Sequence, residues 1–259
     1  MDKNIKANIY YSIHMGQQNI NYFFDRKVSV SFDNLIYDKN AKYKVLVQIE
    51  PPGISNLTHS IINNKNNFDL ILAWNEEILS KCENSVLFPF GSCWIDEDDF
   101  GIHNKTKNLS FITSSKSKTE GHKLRHKILM EHSLSLDLFG FQYNYIEKKI
   151  TGLKDYMFSL IIENEKKKNW FTEKIIDCLV TGTVPIYWGC SNIGDFFNDK
   201  GFMQFNTIDE FKQIIPKLNQ DTYSQLLPFI KENYELCVNY TNFWGRVGDT
   251  IKKHINNEK

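Results

Sequence analysis

The stretch from Tyr156 to Gly189, YMFSLIIENEKKKNWFTEKIIDCLVTGTVPIYWG, decides the fold. It reads as strand, loop, helix and strand in unbroken succession. Met157 to Ile162 is a continuous apolar run, as a strand covered on both faces requires. The run closes on Glu163 and Asn164, so polar side chains stand at the carboxyl end of the strand, where open α/β sheets bind ligands. After a charged loop, Thr172 can serve as N-cap with Glu173 in the first turn of a helix expected over 172–181. Ile175, Ile176, Leu179 and Val180 give that helix a buried stripe, Gly182 ends it, and Pro185 begins the next strand region.

The pattern extends in both directions. Ahead of this unit come a strand from Leu109 to Ser114, a helix from Gly121 to Ser133 and a strand from Leu136 to Phe141; behind it, a strand from Met203 to Phe205. Each helix falls between strands, as a doubly wound sheet requires. In the first half, strands are expected at Ile5 to Ser12, Lys44 to Glu50, Leu70 to Trp74 and Val86 to Phe90, while Val28 to Tyr37 is ambiguous. From Ile208 to Ile255 the spacing is mainly helical, with Pro216 and Pro228 expected to divide it. The polar stretch CWIDEDDFGIHNKTK, Cys93 to Lys107, is the expected boundary. The reading is therefore a two-domain α/β protein, with domains 1–105 and 106–259, terminal helices, and a site in the cleft between two Rossmann-like sheets.

Lys and Arg number 31 against 31 Asp and Glu, so the net charge is zero and a polybasic nucleic-acid binder or an acidic tail is excluded. No apolar run reaches the roughly 20 residues of a membrane helix, and the first residues lack the apolar core of a signal peptide. The expectation is a soluble, cytoplasmic protein with no transmembrane segment and an open oligomeric state. Lysine supplies nearly all the positive charge, the only arginines being Arg26, Arg125 and Arg246. Cys82, Cys93, Cys178, Cys190 and Cys237 lack metal-ligand spacing and read as reduced and structural. Four glycosylation sequons, at Asn56, Asn104, Asn108 and Asn239, are what an Asn-rich chain gives by chance.

The helix after Thr172 offers free N–H groups and a positive dipole end, and Lys174 adds a full charge, so a phosphate suits this position. Glu173 beside it could accept hydrogen bonds from hydroxyls of the same ligand. The alternative is that both are ordinary first-turn surface residues.

FSLIIEN followed by WFTEKIIDCLVTGTVPIYWG resembles the signature of the α1,3/4-fucosyltransferases, glycosyltransferase family 10, and the likeness continues through Ile193, Phe196 and Phe197. It covers about 40 residues in order and spacing. What it implies is a two-domain GT-B fold, a GDP-sugar held mainly by the C-terminal domain and an acceptor in the cleft. On that match Glu173 contacts the donor sugar and Lys174 the phosphates, Glu163 and Asn164 line the donor pocket with Trp170 packed beside it, and Thr172 is counted among the donor-binding residues. The family more often has tyrosine at the Trp170 position; indole can still stack or donate from its N–H, but the phenolic hydrogen bond is lost.

LSFITSSKSKTEGHKLRHKIL resembles the strand, Ser-rich loop and helix that begin the family's donor domain, where an arginine early in the helix faces the diphosphate. Alignment puts His122 at that position and Arg125 one turn later, and Arg125 is preferred with His122 as its neighbour. A basic solvated face is the alternative. KVLVQIEPPG resembles the family's strand-end glutamate segment, which makes Glu50 the expected general base, a solvated strand-end glutamate being the alternative.

The implied activity is inverting transfer of fucose from GDP-fucose to a glycan hydroxyl, without an essential metal or other cofactor. Lys174, Arg125 and the helix N-terminus would offset the leaving-group charge. Two rivals stand beside it: the same fold using another nucleotide sugar, and a non-catalytic sugar-nucleotide or carbohydrate-binding protein. Asp96-Glu97-Asp98 formally matches a metal-binding DxD motif but falls in the expected linker, and His122 with His126 lacks a third ligand. Tyr234, Tyr240, Phe243 and Trp244 could form a sugar platform, with core packing as the other use.

Overall fold

The structure is a computed structural model and describes residues 5–11, 22–132 and 135–257. The chain divides into two compact units, one comprising 1–90 with 243–259 and the other 91–242. Expected strand and helix ends at Ser12 and Ser133 lie outside the described residues.

The first unit contains β1 (Ile5–Lys6), β2 (Asn8–Tyr11), β3 (Phe23–Phe24), β4 (Val28–Phe32), β5 (Tyr43–Val47), α1 (Thr58–Asn63), β6 (Leu70–Ala73), α2 (Glu76–Lys81) and β7 (Ser85–Leu87). Strands β2, β4, β5, β6 and β7 form a wholly parallel sheet in that order, and β1 pairs antiparallel with β3. The ambiguous segment from Val28 is a strand as far as Phe32. Asp33 then takes a left-handed turn with φ of 47°. All five residues of β4 are buried, Ser29 and Ser31 included.

The second unit contains β8 (Lys107–Ile112), α3 (Glu120–His132), β9 (Asp137–Phe139), β10 (Tyr156–Ile162), α4 (Glu173–Leu179), β11 (Val184–Trp188), β12 (Met203–Gln204), α5 (Ile208–Ile214) and α6 (Gln220–Thr241). Its parallel sheet runs β12, β11, β10, β8, β9. Chain order reverses between β8 and β10, and this is the switch point at which such sheets open a crevice. The core is built by Phe158, Leu160 and Ile162 of β10, Ile175, Ile176 and Leu179 of α4, and Ile186 of β11, all at most 1% exposed.

Three expectations are revised. The stretch 91–105 is no free linker: Ile95 enters the second core, the Gly101 amide donates to Val180 O at 2.9 Å, and Gly182, at φ 68°, packs so closely on Ile102 that a Cβ would lie 2.9 Å from its Cα. The buried Lys105 ammonium ties down its end by donating to Lys154 O at 3.0 Å, Thr181 O at 2.8 Å and Thr183 Oγ1 at 2.9 Å. The boundary therefore falls at 90/91 in place of 105/106. Secondly, Pro228 does not divide the helix. It lies inside the 22-residue α6, where burial of Tyr223, Ile230 and Cys237 on one face outweighs the single backbone hydrogen bond that proline cannot make. Thirdly, α7 (Phe243–Asn257) belongs to the first unit. Phe243, Val247, Ile251 and Ile255 join its core, and Arg246 donates to Pro89 O at 2.9 Å and Phe90 O at 3.1 Å.

Candidate functional site

The strand-loop-helix reading is realised at the carboxyl edge of the second sheet. Strand β10 delivers Glu163, whose side chain is fully buried. Its Oε1 accepts the Thr172 amide at 2.9 Å and its Oε2 the Thr172 hydroxyl at 2.7 Å, while the Lys174 ammonium lies 3.3 Å from Oε2. Glu163 thus holds the loop end against the strand end. Thr172 caps α4, its hydroxyl oxygen accepting the Lys174 amide at 3.3 Å and the Lys174 ammonium at 2.9 Å. Lys174 also pairs with Glu173 at 3.2 Å.

Two glycines admit this arrangement. A Cβ on Gly189 would come within 2.5 Å of Glu163 Cγ, and one on Gly121 within 1.8 Å of Glu163 O. The Gly121 amide donates to Asn164 O at 2.9 Å, so the first turn of α3 meets the end of β10 through bare backbone. Both glycines stand in the quoted sequence segments, but their role depends on contacts that local sequence does not display.

Glu173 is buried apart from about a tenth of its side chain, and Lys174 keeps 23% of its side chain exposed. Burial raises the Glu173 carboxyl, but the charges of Lys174 and Lys149 outweigh it and bring the group down to about 2. Glu173 is therefore an acceptor-only carboxylate at neutral pH. The surface-residue alternative does not describe it. Helix α4 is shorter than expected, only seven residues, so positive character at its start rests mainly on Lys174.

Arg125 and His122 are also at this edge. Arg125, 6% exposed, donates through Nε to Ile162 O at 3.1 Å, through one Nη to the same oxygen, and to Asn164 Oδ1 at 3.1 Å. It braces the strand end from α3, which rules out the solvated basic face. Burial lowers its guanidinium to about 10, still charged at neutral pH. His122 Nδ1 accepts the Thr119 amide at 3.1 Å, and burial with nearby Arg125 brings the imidazole down to about 4, so it is neutral. Trp170 is buried at 1% exposure.

Sequence reasoning passed over Thr113, just beyond β8 at the switch point. It is 8% exposed, and its Oγ1 has no hydrogen-bond partner. Sequence reasoning also passed over Lys149 and Asp177, which form an ion pair at 2.5 Å. A cavity of about 340 Å³ lies near the ends of β11 and β12, lined by Lys123, Leu124, Lys127, Trp188, Asn206 and Ile208.

In the first unit Glu50 is half-buried just beyond β5. Asp33 accepts the Ile49 amide at 2.8 Å and the Glu50 amide at 2.9 Å. Burial, countered by those two amides and reinforced by the Glu50 charge, pushes Asp33 up to about 7. Asp96 of the DxD sequence is an exposed partner of Lys148 at 2.9 Å, and among the described residues no three His, Cys, Asp or Glu side chains converge as a metal site.

Two Rossmann-like units with parallel sheets and C-terminal helices define the GT-B class of glycosyltransferase folds. The fold is shared with a crystal structure of alpha1,3-fucosyltransferase with GDP, at TM-score 0.54 and 18% identity over 83% of this chain and 77% of that one. A crystal structure of alpha1,3-fucosyltransferase with GDP-fucose gives TM-score 0.55 and 20% identity over 77% and 68%. The profile described as "Glycosyltransferase family 10 (fucosyltransferase) C-term" matches residues 102–242, more than half of the chain, and the chain belongs to that family.

Among curated relatives, the Helicobacter pylori alpha-(1,3)-fucosyltransferase FucT is 37% identical over 73 residues, covering 28% of this chain and 15% of that protein. The Arabidopsis thaliana alpha-(1,4)-fucosyltransferase is 33% identical over 73 residues, covering 27% and 18%. The chain thus spans under a quarter of the curated relatives it matches. Among the described residues no helix is long and apolar enough to cross a membrane.

Proposed function

We propose that this protein transfers fucose from GDP-fucose to a glycan hydroxyl with inversion at the sugar carbon. The observation that carries the reading is the Glu163-Thr172-Lys174 network, which sets a charged Glu173 and a part-exposed Lys174 side by side at a strand end within the family-matched segment. Lys174 meets the diphosphate as negative charge grows on the leaving group, and Glu173 accepts from sugar hydroxyls or faces the oxocarbenium-like carbon. Arg125 adds charge to the same edge while its hydrogen bonds brace Ile162 and Asn164. His122, neutral, supports the turn.

Glu50 is the proposed base, taking the acceptor hydroxyl proton as the hydroxyl oxygen bonds to the sugar and the bond from sugar carbon to phosphate oxygen breaks. Asp33 fixes its backbone. The scheme uses no metal, and turnover unchanged in excess EDTA is its corollary.

The test uses purified protein with GDP-fucose and a panel of glycan acceptors. GDP release is expected from the wild type, and Glu173→Ala and Lys174→Ala should each abolish it with the circular dichroism spectrum intact. Protein that binds no guanine nucleotide overturns the reading. Preference for another nucleotide sugar in the same panel would reassign the donor.

A further inference from the structure

Trp74, Trp170 and Trp188 are at most 4% exposed and Trp244 is half-buried, whereas Trp94 is 67% exposed. That exposure is not looseness. The Trp94 amide donates to Asp177 Oδ1 at 2.8 Å, and Asp177 is fully buried in α4. The next residue, Ile95, enters the second core. Lys149, at the start of the short 3-10 turn Lys149–Gly152 ahead of β10, sets its ammonium 2.5 Å from Asp177 Oδ2 and over the Trp94 ring at 4.9 Å from the centroid. Backbone and one ring face are thus fixed before any ligand arrives, which spares part of the ordering cost of binding.

Trp94 lines a cavity of about 260 Å³ together with Asp96, Asp99, Glu147, Lys148 and Lys149. Clefts for drug-sized ligands span about 300–1,000 Å³, so this one suits a single ring better than a nucleotide. Three carboxylates oppose an anion. Two ammonium groups oppose a cation, one paired with Asp96 at 2.9 Å and the other set against the indole. The lining matches a neutral ring with an apolar face for the indole and hydroxyls that donate to carboxylates and accept from ammonium groups. We propose that this cavity is a subsite for a neutral sugar residue of a glycan, stacked on Trp94 and hydrogen-bonded to Asp99 and Glu147. All of its residues belong to the second unit, and Asp177, which holds the platform, is one turn along α4 from Glu173. That the glycan is the acceptor rests on the transfer reading, whereas the subsite itself does not.

The full chain without nucleotide is applied to an array of neutral, sialylated and sulfated oligosaccharides. Affinity for the best neutral member is then measured by calorimetry in wild type, Trp94→Ala, Trp94→Phe and Glu147→Ala. Glu147 is exposed, so its truncation leaves the fold intact. Neutral members should be retained, with affinity reduced about tenfold or more in Trp94→Ala, by a smaller factor in Glu147→Ala, and within about threefold of wild type in Trp94→Phe. The indole N–H cross-peak of Trp94 in 1H–15N NMR, assigned by its loss in Trp94→Phe, should shift on saturation with the same glycan. The proposal is overturned by wild type that retains no neutral glycan, by unchanged affinity in both Trp94→Ala and Glu147→Ala, or by an unmoved Trp94 cross-peak. Glycan binding through Trp94 in protein that turns over no GDP-fucose upholds the subsite and refutes the transfer reading instead.

Discussion

Glu163 and Glu173 are ten residues apart, and their surroundings give them different work. Glu163 has both oxygens engaged by Thr172 and Lys174, whereas Glu173 pairs with the part-exposed Lys174 ammonium at 3.2 Å. Glu163→Gln places an amide NH2 opposite a backbone N–H or a hydroxyl that needs an acceptor. The expected loss is about 1–3 kcal/mol in urea unfolding, with weakened donor binding. Asp33 and Glu173 should affect stability with opposite signs. Glu173 falls from 4.5 to about 2, so its stabilisation is full above 4.5 and lost as pH drops through about 2. Asp33 rises from 3.8 to about 7, so its contribution is full below 3.8 and disappears as pH rises through about 7. Comparing Asp33→Asn with wild type by urea unfolding at pH 5 and pH 8 checks this. The wild type should lose stability between those two values, and the variant, with no titrating group at position 33, should show a smaller decline.

At the scale of elements, α4 shows what local sequence can disclose. The Thr172 cap, the stripe of Ile175, Ile176 and Leu179, and the left-handed Gly182 are all local signals, and the structure realises each of them. Thr172→Ala removes the cap and one of the two Glu163 contacts, so its cost should exceed the typical cap value of about 1 kcal/mol. Thermal unfolding measures it. Gly121→Ala should be worse than its helix propensity suggests, because the added methyl meets Glu163 O. Helices α1 and α2, six residues each, were illegible because so short a segment shows too little periodicity. Lys149 was illegible for another reason. It stands in the polar run Glu147-Lys148-Lys149, where nothing local separates the exposed Lys148 from the buried Lys149.

Over the whole molecule, the zero net charge gives way to local separation. Of three arginines, Arg125 braces the β10 end and Arg246 fastens α7 to Pro89 and Phe90 of the first unit. That last contact explains why the sequence boundary was misplaced. A terminal helix returning to the first unit is invisible to a reading that follows chain order, and the polar composition of 93–107 concealed Ile95 and Lys105. Ending the chain at Asn242 strips Phe243, Val247, Ile251 and Ile255 from the first core, each worth about 1.5–3 kcal/mol. Hydrogen exchange should then show β4 and β5 losing protection while β10 and β11 keep theirs. Glu50, the proposed base, is a residue of the first unit, whereas Glu173 and Lys174 are residues of the second. Glu50→Gln should lower kcat by about 100-fold or more while GDP affinity is preserved.

The central claim is that the start of α4 is the diphosphate site. Calorimetric titration of GDP into wild type and Lys174→Ala tests it most directly. The account predicts saturable one-to-one binding to wild type and affinity weakened by about tenfold or more in the variant, consistent with loss of a charge-assisted contact. Equal affinity in the two proteins, or no GDP binding by the wild type, would contradict it.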